Sequence, residues 1–337
     1  MEREKMRAVV ARGHGGPKVL RVEEVERPEA GEDQLLVKVR AAGVNPIDWR
    51  LRRGELRPVT ALKRRRIPGR DVAGEVVYAG DRVEAFDAGN RVYAMLDGIF
   101  GGYAEYAVVN QDAVAAVPEN LSYEEAAATP LAALTAIQAL RGALRDLPHD
   151  CDEALGRRRV LINGASGGVG TFAVQLARIF GAEVTAVCSA KNLGLVKELG
   201  ADHTLDYAEE DFTRSPGLYD VIFDVAGNKG FPACRRALRP GGIYVTTEPK
   251  PAGFLWQALT FPGENRKARV VLAKTSGRDL DLLKDLFEAG QVRAVMDRTY
   301  PMAEAAEAHA YCETGHVRGK VSLLVGRSGA GTAPNSS

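Results

Sequence analysis

Residues Val160-Leu-Ile-Asn-Gly-Ala-Ser-Gly-Gly-Val-Gly170 decide the fold. A short apolar run enters a glycine-rich loop, and Phe172, Leu176, Ile179 and Phe180 then recur at helical spacing before Gly181, a residue suited to ending a helix. Strand, turn and helix in that order are the setting a phosphate-binding loop requires. Gly167 lets the backbone approach a pyrophosphate, Gly170 lets the helix pack on the strand, and the free amides around Ser166, Gly167, Gly168 and Val169 are aimed at anionic oxygens. Ala165 stands where the usual Gly-x-Gly-x-x-Gly pattern has its first glycine. The motif alone is therefore weak, and the segments that follow carry the dinucleotide reading.

Those segments alternate short buried runs with helical periodicity: Val160 to Asn163, Glu183 to Cys188, His203 to Leu205, Asp220 to Asp224, Gly242 to Thr246 and Arg269 to Ala273. Six such runs predict a doubly wound parallel sheet, with Asp279 to Ala289 as its last helix. The end of the second strand selects the nucleotide. An NAD site places an acid there to accept from the ribose hydroxyls. Here the residues are Val187, Cys188, Ser189, Ala190, Lys191 and Asn192. No acid repels a 2′-phosphate, and Ser189 and Lys191 can donate to one, so NADPH is expected over NADH. The plainer reading of the same residues is a capped helix start with a solvated lysine.

Upstream, Met6 to about Val117 is strand-rich, with runs at Leu35 to Val39, Val72 to Tyr78, Arg91 to Met95 and Tyr103 to Val109 separated by Gly, Pro and Asp. This predicts a compact, mainly antiparallel β domain. Ser122 with Glu125 three residues on starts a helix over Ala126 to Leu140, with Pro130 near an end or kink. Downstream, Val295 to Tyr300, the alanine-rich Ala303 to Thr314 and Lys320 to Val325 resume α+β character and are expected to return to the first domain. The boundaries are read as 1–128, 129–294, 295–326 for the returning segment, and 327–337 as a disordered tail.

Composition excludes other classes. The 337 residues suit about two domains at roughly 150 residues each. Lys+Arg 45 against Asp+Glu 44 leaves a net charge of +1, which argues against a nucleic-acid-coating protein. Cys151, Cys188, Cys234 and Cys312 are dispersed without a Cys-x-x-Cys pair, as expected of reduced thiols in the cytoplasm. Ala8 to Ala11 is too short for a signal-peptide core. Val160 to Ala177 is uncharged and as long as a membrane helix, but four glycines, Asn163, Ser166, Thr171 and Gln175 mark it as soluble strand, loop and helix.

Four further segments, taken with the glycine loop, carry a resemblance. They are Ala42-Gly-Val-Asn-Pro-Ile-Asp48, Pro68-Gly-Arg-Asp-Val-Ala-Gly74, Pro130-Leu-Ala-Ala-Leu-Thr-Ala136 and Gly319-Lys-Val321. Their series resembles the medium-chain dehydrogenase/reductase superfamily from Met6 to Val325, and within it the zinc-independent quinone oxidoreductase branch. The resemblance implies a GroES-like β-rich catalytic domain, a Rossmann domain with a six-stranded sheet, and an active site in the cleft between them. Zinc members carry cysteine where this chain has Asn45 and histidine where it has Arg70, so two of the three protein ligands a catalytic zinc needs are missing. No metal is expected, and Asp71 is expected to serve structural hydrogen bonding. The five histidines, at 14, 149, 203, 309 and 316, show no metal spacing and are each read as surface or loop residues.

By the same resemblance, Asn45 faces nicotinamide and substrate as the catalytic residue, and Thr135 contacts the nicotinamide side of the cleft. Ser189, Lys191, Asn192 and Tyr207 approach the 2′-phosphate, Val225, Ala226, Val245 and Thr246 line the cofactor groove, and Lys320 belongs to the cofactor site. Each has a plainer alternative: Asn45 a turn former before Pro46, Thr135 helix packing, Tyr207 a loop cap, Lys320 a solvated strand end. Some quinone oxidoreductases have a tyrosine two residues after the aspartate matching Asp48. This chain has Arg50 there and Glu55-Leu56-Arg57 in the later tyrosine region, so no general acid is named. The basic run Lys63 to Arg66 reads as a solvated loop or as an attractor of anionic substrates. No role is assigned to the polar segment Leu147 to Gly156.

The expected activity is metal-free hydride transfer from NADPH to a quinone, or to the β-carbon of an α,β-unsaturated carbonyl compound. The expected protein is a cytoplasmic homodimer with a small-molecule substrate and no nucleic-acid or membrane partner. A zinc-type alcohol dehydrogenase and a non-catalytic, crystallin-like NADPH-binding protein are the competing readings.

Overall fold

The computed structural model describes residues 4–55, 65–98, 100–147, 157–248, 250–260 and 265–326. Among them, six parallel strands form a sheet in the order His203–Asp206, Glu183–Cys188, Arg159–Asn163, Tyr219–Asp224, Leu238–Thr246, Lys267–Val270. Val160, Leu161 and Ile162 at its centre are all fully buried, since a parallel sheet carries helices on both faces. The doubly wound sheet expected from the six buried runs is present, with the last strand a few residues earlier than the apolar pattern suggests. Helix Gly168–Ile179 covers one face, where Phe172 meets Phe287 of helix Gly277–Glu288 edge-on at 6.3 Å.

The other large sheet runs Met296–Pro301, Lys320–Leu324, Gln34–Val44, Asp71–Ala79, Arg91–Met95, Val114–Ala116, with Tyr106–Asn110 also paired to Gln34–Val44. Its pairings are antiparallel except that between Met296–Pro301 and Lys320–Leu324. Val321 lies opposite Val44 and Ser322 opposite Gly43. This register sets Lys320, from the end of the chain, beside Asn45, from its beginning.

One helix was expected over Ala126 to Leu140, and the structure has two. Tyr123–Ala128 begins with a capping box, in which Ser122 Oγ accepts from the Glu125 amide and Glu125 Oε2 accepts from the Ser122 amide. Pro130–Arg145 follows after Thr129. Pro130 has no N–H to continue the first helix, and its fixed φ suits the first position of the second.

Of the basic run, residues 63 and 64 lie outside the described residues. Arg65 and Arg66 form a short strand against Lys5–Arg12. Arg66 is not a solvated loop residue: it is 4% exposed, and its guanidinium bonds the Gly13 carbonyl and His14. Residues 148–156 and 327–337 are likewise outside the described set. No helix among the described residues is long and apolar enough to cross a membrane.

Candidate active site

The glycine loop is built by its backbone. Gly164 leaves strand Arg159–Asn163 with φ +84, a left-handed conformation, and a side chain there would press on Ala226. The turn glycine is thus Gly164, one residue before the position the motif assigns, and buried Ala165 continues the path with its amide bonded to the Val187 carbonyl. A side chain at Gly170 would collide with the Gly164 carbonyl, and one at Gly168 would meet Lys320 Cδ at 2.8 Å. The first bond of helix Gly168–Ile179 runs from the Thr171 amide to the Gly167 carbonyl. The amides of Gly168, Val169 and Gly170 precede it and have no helical acceptor. This cradle, closed to side chains at Gly164 and Gly170 and lined with amides at a helix start, fits a pyrophosphate.

The expected groove residues gather at the carboxyl ends of the parallel strands, where open α/β sheets bind ligands. Val225 and Ala226 follow Tyr219–Asp224 and donate their amides to the Asn163 carbonyl at 3.0 and 3.2 Å. Val245 and Thr246 end Leu238–Thr246, with Thr246 Oγ1 donating to the Asp224 carbonyl. Ser166 and Ser189 are joined by Asn192, whose Nδ2 donates to both hydroxyl oxygens at 3.0 and 3.3 Å. Lys191 and Tyr207 are exposed nearby, beyond Glu183–Cys188 and His203–Asp206. The carboxylate paired in register with Cys188, Asp206, caps its own turn by accepting from the Ala208 amide.

Beneath the groove lies a group that the motif reading did not find. Asp224 is fully buried and accepts from Asn163 Nδ2, the Gly227 amide and Tyr244 OH at 2.7, 2.9 and 2.9 Å. It fixes the turn after the central strand. An aspartate closing an apolar run was the only available signal.

The facing wall consists of side chains. Asn45 is 1% exposed and caps helix Pro46–Arg53. Its Oδ1 accepts from Lys320 Nζ at 2.5 Å, and its Nδ2 donates to Asp71 Oδ2 at 2.8 Å. Asp71 Oδ1 accepts from the Leu131 amide at the start of the second linking helix. Lys320 is buried, so the solvated-strand-end reading fails: the register with Val44 points its ammonium inward, where it also reaches the Val44 carbonyl at 3.4 Å. Burial pushes the Asp71 carboxyl up and the Lys320 ammonium down, and each is opposed by the other's charge. Thr135 is buried and its hydroxyl donates to the Leu131 carbonyl at 2.6 Å, so that group is engaged within its own helix.

A second line of contacts leads outward from Asn45. Its amide donates to Asp48 Oδ2 at 2.8 Å, Tyr103 OH donates to the same oxygen at 3.1 Å, and Tyr103 OH lies 3.2 Å from His309 Nε2. Arg52 Nε donates to His309 Nδ1, and the same guanidinium pairs with Glu313. Since Nδ1 accepts, the neutral imidazole carries its proton on Nε2. His309 is fully buried, so its reading as a surface or loop residue is corrected: helix Ala305–Glu313 turns this face onto Tyr103. Burial raises the Asp48 carboxyl to about 7 and lowers His309 to about 3.

Two positions that hold the metal in zinc relatives therefore present an amide and a guanidinium, with an ammonium already on the amide oxygen. Arg70 donates to the Gly98 and Leu96 carbonyls. This donor set does not fit a zinc ion. Across the cleft, Arg50 pairs with Glu248 at 2.7 Å, joining helix Pro46–Arg53 to the loop after Leu238–Thr246. Sequence separation hid that pair as well.

Comparison with known proteins agrees with this architecture. Residues 31–119 match the alcohol dehydrogenase GroES-like domain, and residues 199–323 match the zinc-binding dehydrogenase family. A chloroplastic quinone-oxidoreductase homolog of Spinacia oleracea is 38% identical over 94% of this chain and 97% of its own. A chloroplastic NADPH-dependent alkenal/one oxidoreductase of Arabidopsis thaliana is 37% identical over 94% of this chain and 78% of its own. The solved structure of the quinone oxidoreductase from Coxiella burnetii superposes with a TM-score of 0.84 at 31% identity, covering 96% of this chain and all of that one.

Proposed function

Because the chain belongs to the medium-chain dehydrogenase/reductase superfamily, in its quinone-oxidoreductase-like branch, we propose that it is an NADPH-dependent reductase of quinones or α,β-unsaturated carbonyl compounds that uses no metal. The observation that carries this is the Asn45 amide held between Lys320 and Asp71 where zinc relatives place a ligand. Reducing a simple carbonyl benefits from a Lewis acid, whereas a conjugated acceptor spreads its developing charge onto an oxygen that hydrogen-bond donors can stabilise.

The bound nicotinamide would supply the hydride. The amides of Gly168, Val169 and Gly170 would hold the pyrophosphate, and Ser189, Lys191 and Asn192 the 2′-phosphate. Asn45 donates from the second hydrogen of Nδ2, which has no acceptor among the described residues. The buried walls exclude water from the reacting atoms. Preference for NADPH is supported by the lack of an acid at the end of Glu183–Cys188.

NADPH oxidation followed with 1,4-benzoquinone, 9,10-phenanthrenequinone, acrolein, a 2-alkenal and crotonyl-CoA tests the reading, with NADH and a simple ketone as controls. Turnover that favours quinones or enones and survives a metal chelator is expected. Turnover of the ketone that a chelator abolishes overturns it.

A cytoplasmic homodimer is part of the same proposal. Leu255, Leu259 and Leu272, each more than half exposed near the edge strand Lys267–Val270, support pairing of two copies. Light scattering of the eluted protein gives its mass, and a fluorescent fusion gives its compartment.

A further inference from the structure

We propose that Lys320 is the positioning residue of this reaction: its buried ammonium fixes the Asn45 amide and strengthens that amide's free N–H as a donor to the substrate oxygen. The inference rests on the functional reading above and deepens it. Lys320 thereby moves from the cofactor site, where the family pattern places it, to the service of the catalytic amide.

An ammonium only donates and a carboxylate only accepts, so the pair admits one orientation of the amide between them. Oδ1 must face Lys320, and Nδ2 must face Asp71. The cation on Oδ1 draws electron density toward oxygen and leaves the amide hydrogens more positive, which strengthens the hydrogen not used by Asp71. Without the ammonium, Oδ1 loses its donor and burial favours the neutral Asp71 carboxyl, which can accept from Nδ2 or donate to Oδ1 and so no longer selects one orientation.

Lys320 also ties this amide to the cofactor loop. The preceding residue, Gly319, donates its amide to the Ser166 carbonyl at 2.9 Å and bridges to Gly167. The lysine stem then passes over Gly168, where a side chain would strike Cδ. Gly319 has φ +80, and a side chain there would run into the Val295 carbonyl. One dipeptide thus touches the loop for the pyrophosphate and the amide for the substrate, so the distance between them is set by a single stretch of backbone.

Two measurements test the proposal. In cofactor-free protein labelled with 15N-asparagine, Lys320→Met is expected to shift the Asn45 side-chain amide protons upfield; unchanged resonances overturn the proposal. In steady-state assays, Lys320→Met is expected to lower kcat on the order of 10–100-fold with the NADPH Kd nearly unchanged, and to have no further effect on kcat in an Asn45→Ala background. An equal loss of kcat in both backgrounds, or a loss of NADPH affinity exceeding the loss of kcat, overturns it. If Lys320→Met alone does not fold, the charge-balanced pair Lys320→Met with Asp71→Asn carries the same readouts against Asp71→Asn. A wild-type protein that reduces neither quinones nor enones defeats the functional reading, and the resonance measurement then decides the amide contact by itself.

Discussion

The two walls of the cleft are made of different materials. The wall from Gly164 to Gly170 is main chain, and its chemistry is the row of amides at a helix start. The wall of Asn45, Asp48, Asp71 and Lys320 is side chain, with two carboxyls and an ammonium withdrawn from water. The first wall is sensitive to shape, because an added side chain fills the space a ligand needs, and nearly indifferent to charge. The second is sensitive to charge, because each buried ion relies on the others, and its shape follows from the bonds among them.

The largest expected effect breaks the charged wall. Asp71→Ala leaves the Lys320 ammonium buried without its anion, and urea denaturation should show a loss of about 3–5 kcal/mol. Stability close to wild type would mean that Lys320 does not depend on that carboxylate. Next, Gly170→Val forces a side chain into the Gly164 carbonyl. It should cost about 1–3 kcal/mol and weaken NADPH binding, read by nucleotide fluorescence, while Asp71 and Lys320 stay paired. Unaltered NADPH affinity would show that the cradle is not the pyrophosphate site.

A pH series separates the walls further. Asp48, raised to about 7, keeps its proton in the folded chain where the unfolded carboxyl has lost it. Its stabilising effect is complete below the ordinary carboxyl range and is lost as pH rises through 7. His309, lowered to about 3, stays neutral where the unfolded imidazole is charged. Its effect has the opposite sign, with stability gained as pH rises from about 3 to the ordinary imidazole value of about 6.5. Between about pH 4.5 and 6.5 the two slopes oppose each other. Asp48→Asn removes one of them, so the variant should gain about 2 kcal/mol across that window while the wild type changes less. Parallel curves for the two proteins would refute the opposition.

The smallest effect lies beside the backbone wall, where Ser189 follows strand Glu183–Cys188. Ser189→Asp introduces an acid at the expected 2′-phosphate position and should shift the ratio of kcat/KM for NADPH over NADH about tenfold toward NADH, or about 1.4 kcal/mol. An unchanged ratio would move the 2′-phosphate away from Ser189.

The contrast between the walls also explains what the sequence could reveal. The backbone wall is contiguous, so strand, loop and helix could be read together from Val160 to Phe180, and only the turn glycine was displaced by one residue. The parallel sheet was legible because its central strands, Arg159–Asn163 and Tyr219–Asp224, are buried on both faces and so read as continuous runs. The charged wall joins residues 26 and 275 positions apart, and no local pattern links Asn45 to Asp71 or to Lys320. His309 sits in an alanine-rich helix whose small residues give little periodicity, so nothing distinguished its buried face. Pro130 signalled a kink, but the partner of the amide freed by the restart, Asp71 accepting from Leu131, is again a distant residue.

The register of Val321 with Val44 has a consequence for biosynthesis. At about 5–20 residues per second on the ribosome, Asn45 precedes Lys320 by tens of seconds. Throughout that interval Asp71 lacks the Lys320 ammonium, and the sheet of Gln34–Val44 lacks the strand that brings it. The Rossmann strands, by contrast, are complete once Val270 has emerged. Trp256 packs on Phe231 within that unit, and Trp49 lies in the helix that Asn45 caps. In synchronised cell-free synthesis, Trp256 fluorescence should therefore reach its folded value before that of Trp49, and activity should appear only with the second, making the finished active site wait on the strand that carries Lys320.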